Sequence, residues 1–203
     1  FKFFFAIVVV SMIGNEYSNK TLKQNLIDGL SKKEFILSKF YTIVFFSLAA
    51  TVLIGTATFL IGLYYSSYTE IGIIVREVEF LLAYFMKLVG FFSLCLFFGM
   101  LVKRSAFALA FLVVLQIIEA ILFGVMVWQV NKDFAVQVQN FFPLQSMYNL
   151  INQPFQRIVM TKFPEKTELV YDYAVHLYEI AIVLGWTALF IFLSYRLLKK
   201  RDL

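Results

Sequence analysis

The chain has 203 residues, 61% of them hydrophobic and 19% aromatic, against 15% charged, with a net charge of +5. A soluble domain carries about 45–50% apolar and about 25% charged residues. One globular core could not absorb this excess, so a soluble enzyme or a disordered regulator is excluded. One Cys and one His exclude a disulfide framework and a Cys/His zinc site.

In chain order, residues 1–14 (FKFFFAIVVVSMIG) read as the end of a first membrane span, and the chain is expected to lack its natural N-terminus. NEYSNK follows where a signal peptide would carry small residues for cleavage. Crossing a bilayer takes about 20 mostly apolar residues. Four further stretches supply them: 40–69 without a charge, 80–102 with Lys87, 105–130 with Glu119, and 173–195 with His176 and Glu179. Pro143, Pro154 and Pro164 all lie between 131 and 172, outside the spans, as continuous helices prefer. The apolar runs are continuous rather than alternating, which points to helices and not to a β-barrel. The expected fold is an all-α, polytopic integral membrane protein, one transmembrane domain over 1–203 with five spans, the first partial.

Lysine and arginine placement sets orientation. Residues 15–39, the Lys103–Arg104 corner and the tail after Tyr195 hold eleven basic residues and four acids; the opposite side holds five and seven. The first side is therefore expected to be cytoplasmic. The basic balance reflects topology, and no nucleic-acid partner is expected. Tyr64, Tyr65, Tyr68, Trp128, Tyr171 and Tyr173 cluster at the expected outer ends, as an interfacial aromatic belt does.

Residues 15–34 are the most informative stretch. Asn19 or Ser18 is placed to cap a helix start. Leu22, Leu26 and Leu30 recur every four residues beside Ile27, an apolar stripe on a short polar helix. Gly29 is placed to end that helix, and Ser31-Lys32-Lys33-Glu34 reads as a capping box that starts the next one. The stripe either rests on lipid headgroups or plugs into a partner.

The run from Asn15 through Leu26, followed by Gly29-Leu30-Ser31-Lys32-Lys33-Glu34-Phe35 and by Lys39, resembles the permease subunit of type-2, exporter-like ABC transporters. The shared features are an acidic residue, a Thr-Leu pair, a leucine-rich short helix, a Ser-basic pair and a Lys at the foot of the next span. The resemblance implies six spans with cytoplasmic termini, the present chain covering the end of the second through the sixth. It implies that 15–34 is a cytoplasmic coupling helix seated on an ATPase subunit through Thr21, Leu22, Lys23, Asn25, Leu26, Ile27, Asp28 and Leu30. It also implies two permease chains, alike or different, paired with two ATPase chains in the cytoplasmic (inner) membrane. Residues 131–172 would form an outer segment whose short helices lie in or re-enter the outer leaflet.

No G-x-x-x-x-G-K-[ST] occurs, so ATP and Mg would be held and hydrolysed on the partner, and this chain is expected to carry no cofactor, metal or catalytic residue. Cys95 sits in an apolar span with no basic neighbour in sequence, as an inert core thiol does. His176 and Glu179 have metal-like spacing but are too few ligands. Ser47, Thr51, Gly55, Thr58 and Gly62 share one helical face, either a packing seam or a weakly polar wall of a substrate path. Lys87, Glu119 and Glu179 lie sixteen, fifteen and seventeen residues from the basic anchors Lys103, Arg104 and Arg196, roughly 22–26 Å along their helices. They therefore form one charge layer in the outer half of the bilayer. Such groups pair inside the protein, and a Lys87–Glu119 ion pair is expected. The rival functions are a membrane-embedded enzyme acting on lipid through Glu119, His176 and Glu179, and a scaffold without transport.

Overall fold

A computed structural model describes residues 2–65, 78–151 and 175–201. Among them are eight helices and no strand: α1 (Lys2–Ser18), α2 (Thr21–Ile27), α3 (Lys32–Tyr65), α4 (Val78–Val102), α5 (Ser105–Gln129), α6 (Lys132–Gln139), α7 (Pro143–Asn149) and α8 (Leu177–Lys199). α3, α4, α5 and α8 are long and apolar enough to cross a membrane, and Phe4–Ser18 is a shorter apolar helix. The fold is thus the expected all-α, multi-pass architecture. Boundaries shift by a few residues. α3 has 34 residues, about 51 Å of helix, because the helix begun at the capping box runs into the membrane without a break.

α4 is the hub. It packs against α1, α3, α5, α7 and α8, and Phe91, Phe92, Leu94, Cys95, Leu96 and Met100 are buried along it. Between membrane helices lipid is as apolar as leucine, so close approach of small residues decides which helices pack. A Cβ on Gly90 would stand 2.9 Å from Val183 Cγ1 of α8 and 3.2 Å from Met147 Cε of α7. A Cβ on Gly99 would meet three atoms of Ile13 of α1 at 3.1–3.2 Å. These two glycines set how closely α8, α7 and α1 approach the hub. Phe92 packs edge-on to Phe5 and tilted against Phe46, which ties α1 and α3 to the same turn of α4.

The polar face of α3 divides along its length. Ser47 and Thr51 are buried, and Gly55 faces Leu81 of α4 at 3.3 Å from its would-be Cβ. Thr58 is exposed, and no described residue lies within 4 Å of a Cβ on Gly62. The first three residues form a seam and the last two do not. Tyr64, Tyr65 and Trp128 are exposed at the ends of α3 and α5, fitting the expected belt; Tyr68, Tyr171 and Tyr173 lie outside the described residues.

Candidate functional site

Two polar frames hold the ends of the bundle. At the basic end α2 hangs between α1 and α3. Neither Ser18 nor Asn19 caps it. Lys20 takes that position in the left-handed region (φ 58°), and the Ser18 hydroxyl bonds back to the Gly14 carbonyl at 3.0 Å. The start is secured by Thr21, whose hydroxyl donates to Glu16 Oε2 at 2.6 Å. Glu16 also forms an ion pair with Lys39 of α3. Burial raises the pKa of Glu16, but the bonds from Lys39 and Thr21 outweigh it and hold the group below the usual carboxylate range. The acid, the threonine and the lysine of the quoted motif therefore meet in one clasp.

The other end of α2 closes as its sequence suggested. Gly29 has φ +101°, the Leu30 N–H donates to the Asn25 carbonyl at 3.0 Å, and the Gly29 N–H donates to the Leu26 carbonyl at 3.4 Å, which is the Schellman pattern. The Ser31 N–H donates to Glu34 Oε2 at 2.9 Å and the Glu34 N–H donates to Ser31 Oγ at 3.2 Å, completing the capping box. These bonds hold the exposed Glu34 carboxylate below its usual range.

The leucine stripe needs a correction. Leu22 is 2% exposed inside the chain's own core, and Leu26 is half-buried against it. The stripe anchors α2 to the body of the protein and offers neither lipid nor a partner its full length. What α2 presents outward is Thr21, Lys23, Gln24, Ile27, Asp28 and Leu30, with Ile27 74% exposed. Asn25 is half-buried.

Arg201 completes this end. Its guanidinium donates to the Met100 and Leu101 carbonyls at 2.6 and 2.9 Å and to the Tyr17 hydroxyl at 3.1 Å. Lys32 donates to the Arg201 carbonyl at 2.8 Å. Arg201, just beyond α8, thus caps the carbonyl end of α4 and ties in α1 and α3. Sequence reasoning placed Arg201 only among the topology charges, because its acceptors, two backbone carbonyls and a tyrosine hydroxyl, lie 100 or more residues away.

At the opposite end the charge layer is arranged around α7. Pro143 is the first residue of this helix and has no N–H, and Phe142 before it offers no side-chain cap. The next two donors are satisfied from another helix: the Leu144 N–H and the Gln145 N–H donate to Glu119 Oε1 and Oε2 at 2.9 and 3.3 Å. Glu119, on α5, acts as the missing N-cap. Lys87, on α4, donates to the Tyr148 carbonyl at 3.4 Å near the other end of α7 and lies 5.4 Å from the Tyr148 ring centroid. The expected Lys87–Glu119 ion pair is therefore replaced. Each charge meets the end of α7 whose dipole it complements, acid at the N–H end and base at the carbonyl end. Glu179 sits in the first turn of α8, and with Asn140, Ser146 and Asn149 it lines a small cleft on the far side of α7. α7 itself is held by Asn149 Nδ2 to Asn140 Oδ1 at 2.8 Å and by Trp186 Nε1 to the Phe141 carbonyl at 2.9 Å.

Beside α7 lies a cavity of about 360 Å³ lined by Phe91, Leu112, Gln116, Glu119, Ala120, Gln139, Leu144, Gln145 and Tyr148. Its size is that of a small-ligand site. Cys95 is buried in the hub. His176 stacks on Tyr178, ring centroids 5.3 Å apart. Among the described residues no group of three or more His, Cys, Asp or Glu could hold a metal ion.

A bundle of membrane-length helices, with a clasped short helix at one end and a charge-held helix at the other, is the frame of a multi-pass membrane protein. The family model described as ABC-2 family transporter protein matches residues 3–203. The chain belongs to the ABC-2 family of transporters, and membership implies a transport system with an ATPase partner. No curated protein and no solved structure matches the chain.

Proposed function

We propose that this chain is the transmembrane subunit of an ABC exporter in the cytoplasmic membrane, moving its cargo with ATP hydrolysed on separate ATPase subunits. Two permease chains, alike or different, would pair with two ATPase chains. ATP and Mg would be bound by the ATPases, and the permease would contribute no catalytic group. The basic end would face the cytoplasm and the α6–α7 end the exterior.

The observation that carries this reading is the way α2 is mounted. A seven-residue helix is fixed at its start by Glu16, Thr21 and Lys39, at its end by a Schellman turn and a capping box, and from below by Leu22. It cannot tilt without moving α1 and α3. A push on its exposed face, through Lys23, Ile27, Asp28 and Leu30, would pass directly into two long helices. That is what a coupling helix must do, and neither a lipid-acting enzyme nor a passive scaffold requires it.

Ile27→Glu tests the mounting. It places a charge on the outward face without touching the core. The variant should keep the thermal stability of the parent chain in detergent and lose copurification of its ATPase partner, along with transport-coupled ATP hydrolysis. Normal copurification and normal coupling in Ile27→Glu would remove α2 as the docking element. An outside-impermeant thiol reagent should label Asp133→Cys and spare Lys103→Cys in intact cells; the reverse pattern would invert the topology.

A further inference from the structure

The cavity beside α7 carries an inference about what this permease binds. Four residues of its wall, Leu112, Gln116, Glu119 and Ala120, lie on one stripe of α5. Gln116 is eleven residues from the start of α5 at Ser105, about 16 Å along the axis. That depth is near the middle of a hydrocarbon core about 30 Å thick. A polar group there needs a hydrogen-bond partner, because lipid supplies none. Yet the side-chain amides of Gln116 and Gln139 make no hydrogen bond to any described residue. Gln145 donates to Asn149 Oδ1 at 2.8 Å, which leaves its carbonyl oxygen as a further acceptor. Both Glu119 oxygens accept from backbone N–H groups, and the described residues place no cation within ion-pair distance of it. The site therefore holds one carboxyl group and three under-used amides.

Among the described residues the remaining walls are Phe91, Leu112, Ala120 and Leu144, with Tyr148 at one side. Gln116 and Ala120 are exposed, so among the described residues the cavity opens sideways along α5. We infer that this cavity binds an amphiphile with an ammonium head group, entering from the bilayer. The head would sit against Glu119 and donate to Gln116, Gln139 and the Gln145 carbonyl, and the alkyl tail would lie along Phe91 and Leu112. An ammonium group supplies several donors and a positive charge that no described residue places within ion-pair distance of Glu119. An anionic head would meet Glu119 with like charge. The inference deepens the transport reading by giving the class of cargo, but binding needs only this chain.

That head group is found on an aminophospholipid of the membrane and on a diffusible cationic amphiphile, and the test separates them. The whole chain is placed in nanodiscs of phosphatidylcholine and phosphatidylglycerol, without any ATPase. It is titrated with a dansyl-tailed alkylammonium and with its hydroxyl- and sulfonate-headed twins. The ammonium probe should bind saturably and at least tenfold more tightly than either twin, with Gln116→Leu weakening it about tenfold, the range expected for hydrogen bonds to a charged group. Glu119→Gln should erase the preference for ammonium over hydroxyl. Because Glu119 also caps α7 and its variant is expected to loosen that helix, Gln116→Leu, on the exposed face of α5, decides the test. Adding phosphatidylethanolamine to the discs should displace the probe if the occupant is a bilayer lipid and leave it bound if it is a diffusible amphiphile. Equal binding of the three probes, or ammonium binding unchanged in Gln116→Leu, overturns the inference. Because no ATPase is present, failure of the coupling reading would leave these results untouched.

Discussion

α4 and α5 are consecutive helices of 25 residues each and nearly equal hydropathy, yet 67% of the most apolar window of α4 is buried and only 17% of that of α5. Composition does not separate them. What does is the distribution of small residues. α4 carries Ala83, Gly90, Ser93 and Gly99 toward its neighbours, so other helices close on it from several sides. α5 buries only Ala108, Leu112 and Glu119, a strip one residue wide, and no described residue approaches its Gly124. Hydrophobicity puts both helices in the membrane. Steric access decides which becomes the core and which keeps its side chains for lipid or for a partner.

That contrast can be broken by substitution. The largest loss is expected at Phe92→Ala, which empties a fully buried site where α1, α3 and α4 meet. It should cost about 3–5 kcal/mol, read as a fall in the unfolding midpoint in mild detergent. Gly90→Leu comes next. Its Cβ would overlap Val183 and crowd Met147, and overpacking of this kind costs about 1–3 kcal/mol. α8 and α7 should loosen together, visible as faster hydrogen exchange in both.

Glu119→Gln sharpens the comparison, because it tests the one polar residue that α5 buries. Its amide can accept from only one of the two N–H groups, so α7 should fray while α4 stays protected, at a cost of about 1–3 kcal/mol. Loss confined to α7 would show Glu119 to be the cap; unchanged exchange in α7 would deny it. The smallest effect belongs to Ile118→Ala on the exposed face of α5, within about 0.5 kcal/mol of the parent. A loss as large as that at Phe92 would mean that α5 is covered on this face.

Much of the fold was legible without coordinates. The spans follow from apolar runs of membrane length, and the Gly29 turn and the Ser31–Glu34 box follow from bonds between residues three to five apart. Local chemistry of this kind is fixed by the chain alone. The charge layer was also legible, since Lys87, Glu119 and Glu179 can be counted from the basic anchors. Its wiring was not. The expected Lys87–Glu119 pair rests on height and adjacency, whereas the observed arrangement depends on α7, twenty-five residues beyond Glu119 at its first bond, arriving between them with two N–H groups and a carbonyl to satisfy.

The leucine stripe of α2 teaches the same point. Periodicity fixed which residues share a face, but Leu22 faces the chain itself because the Glu16–Lys39 clasp draws α2 onto the body of the bundle. Arg201 is the extreme case: three of its acceptors lie on α1 and α4, 100 or more residues earlier. Sequence by itself determined that this protein is helical, membrane-spanning and jointed at Gly29, because the solvent and the nearest neighbours of each residue suffice to dictate those features. Only the tertiary structure decided which helix became the hub, which charges met which helix ends and where the cavity opened, because those depend on the close approach of backbone segments far apart in the chain.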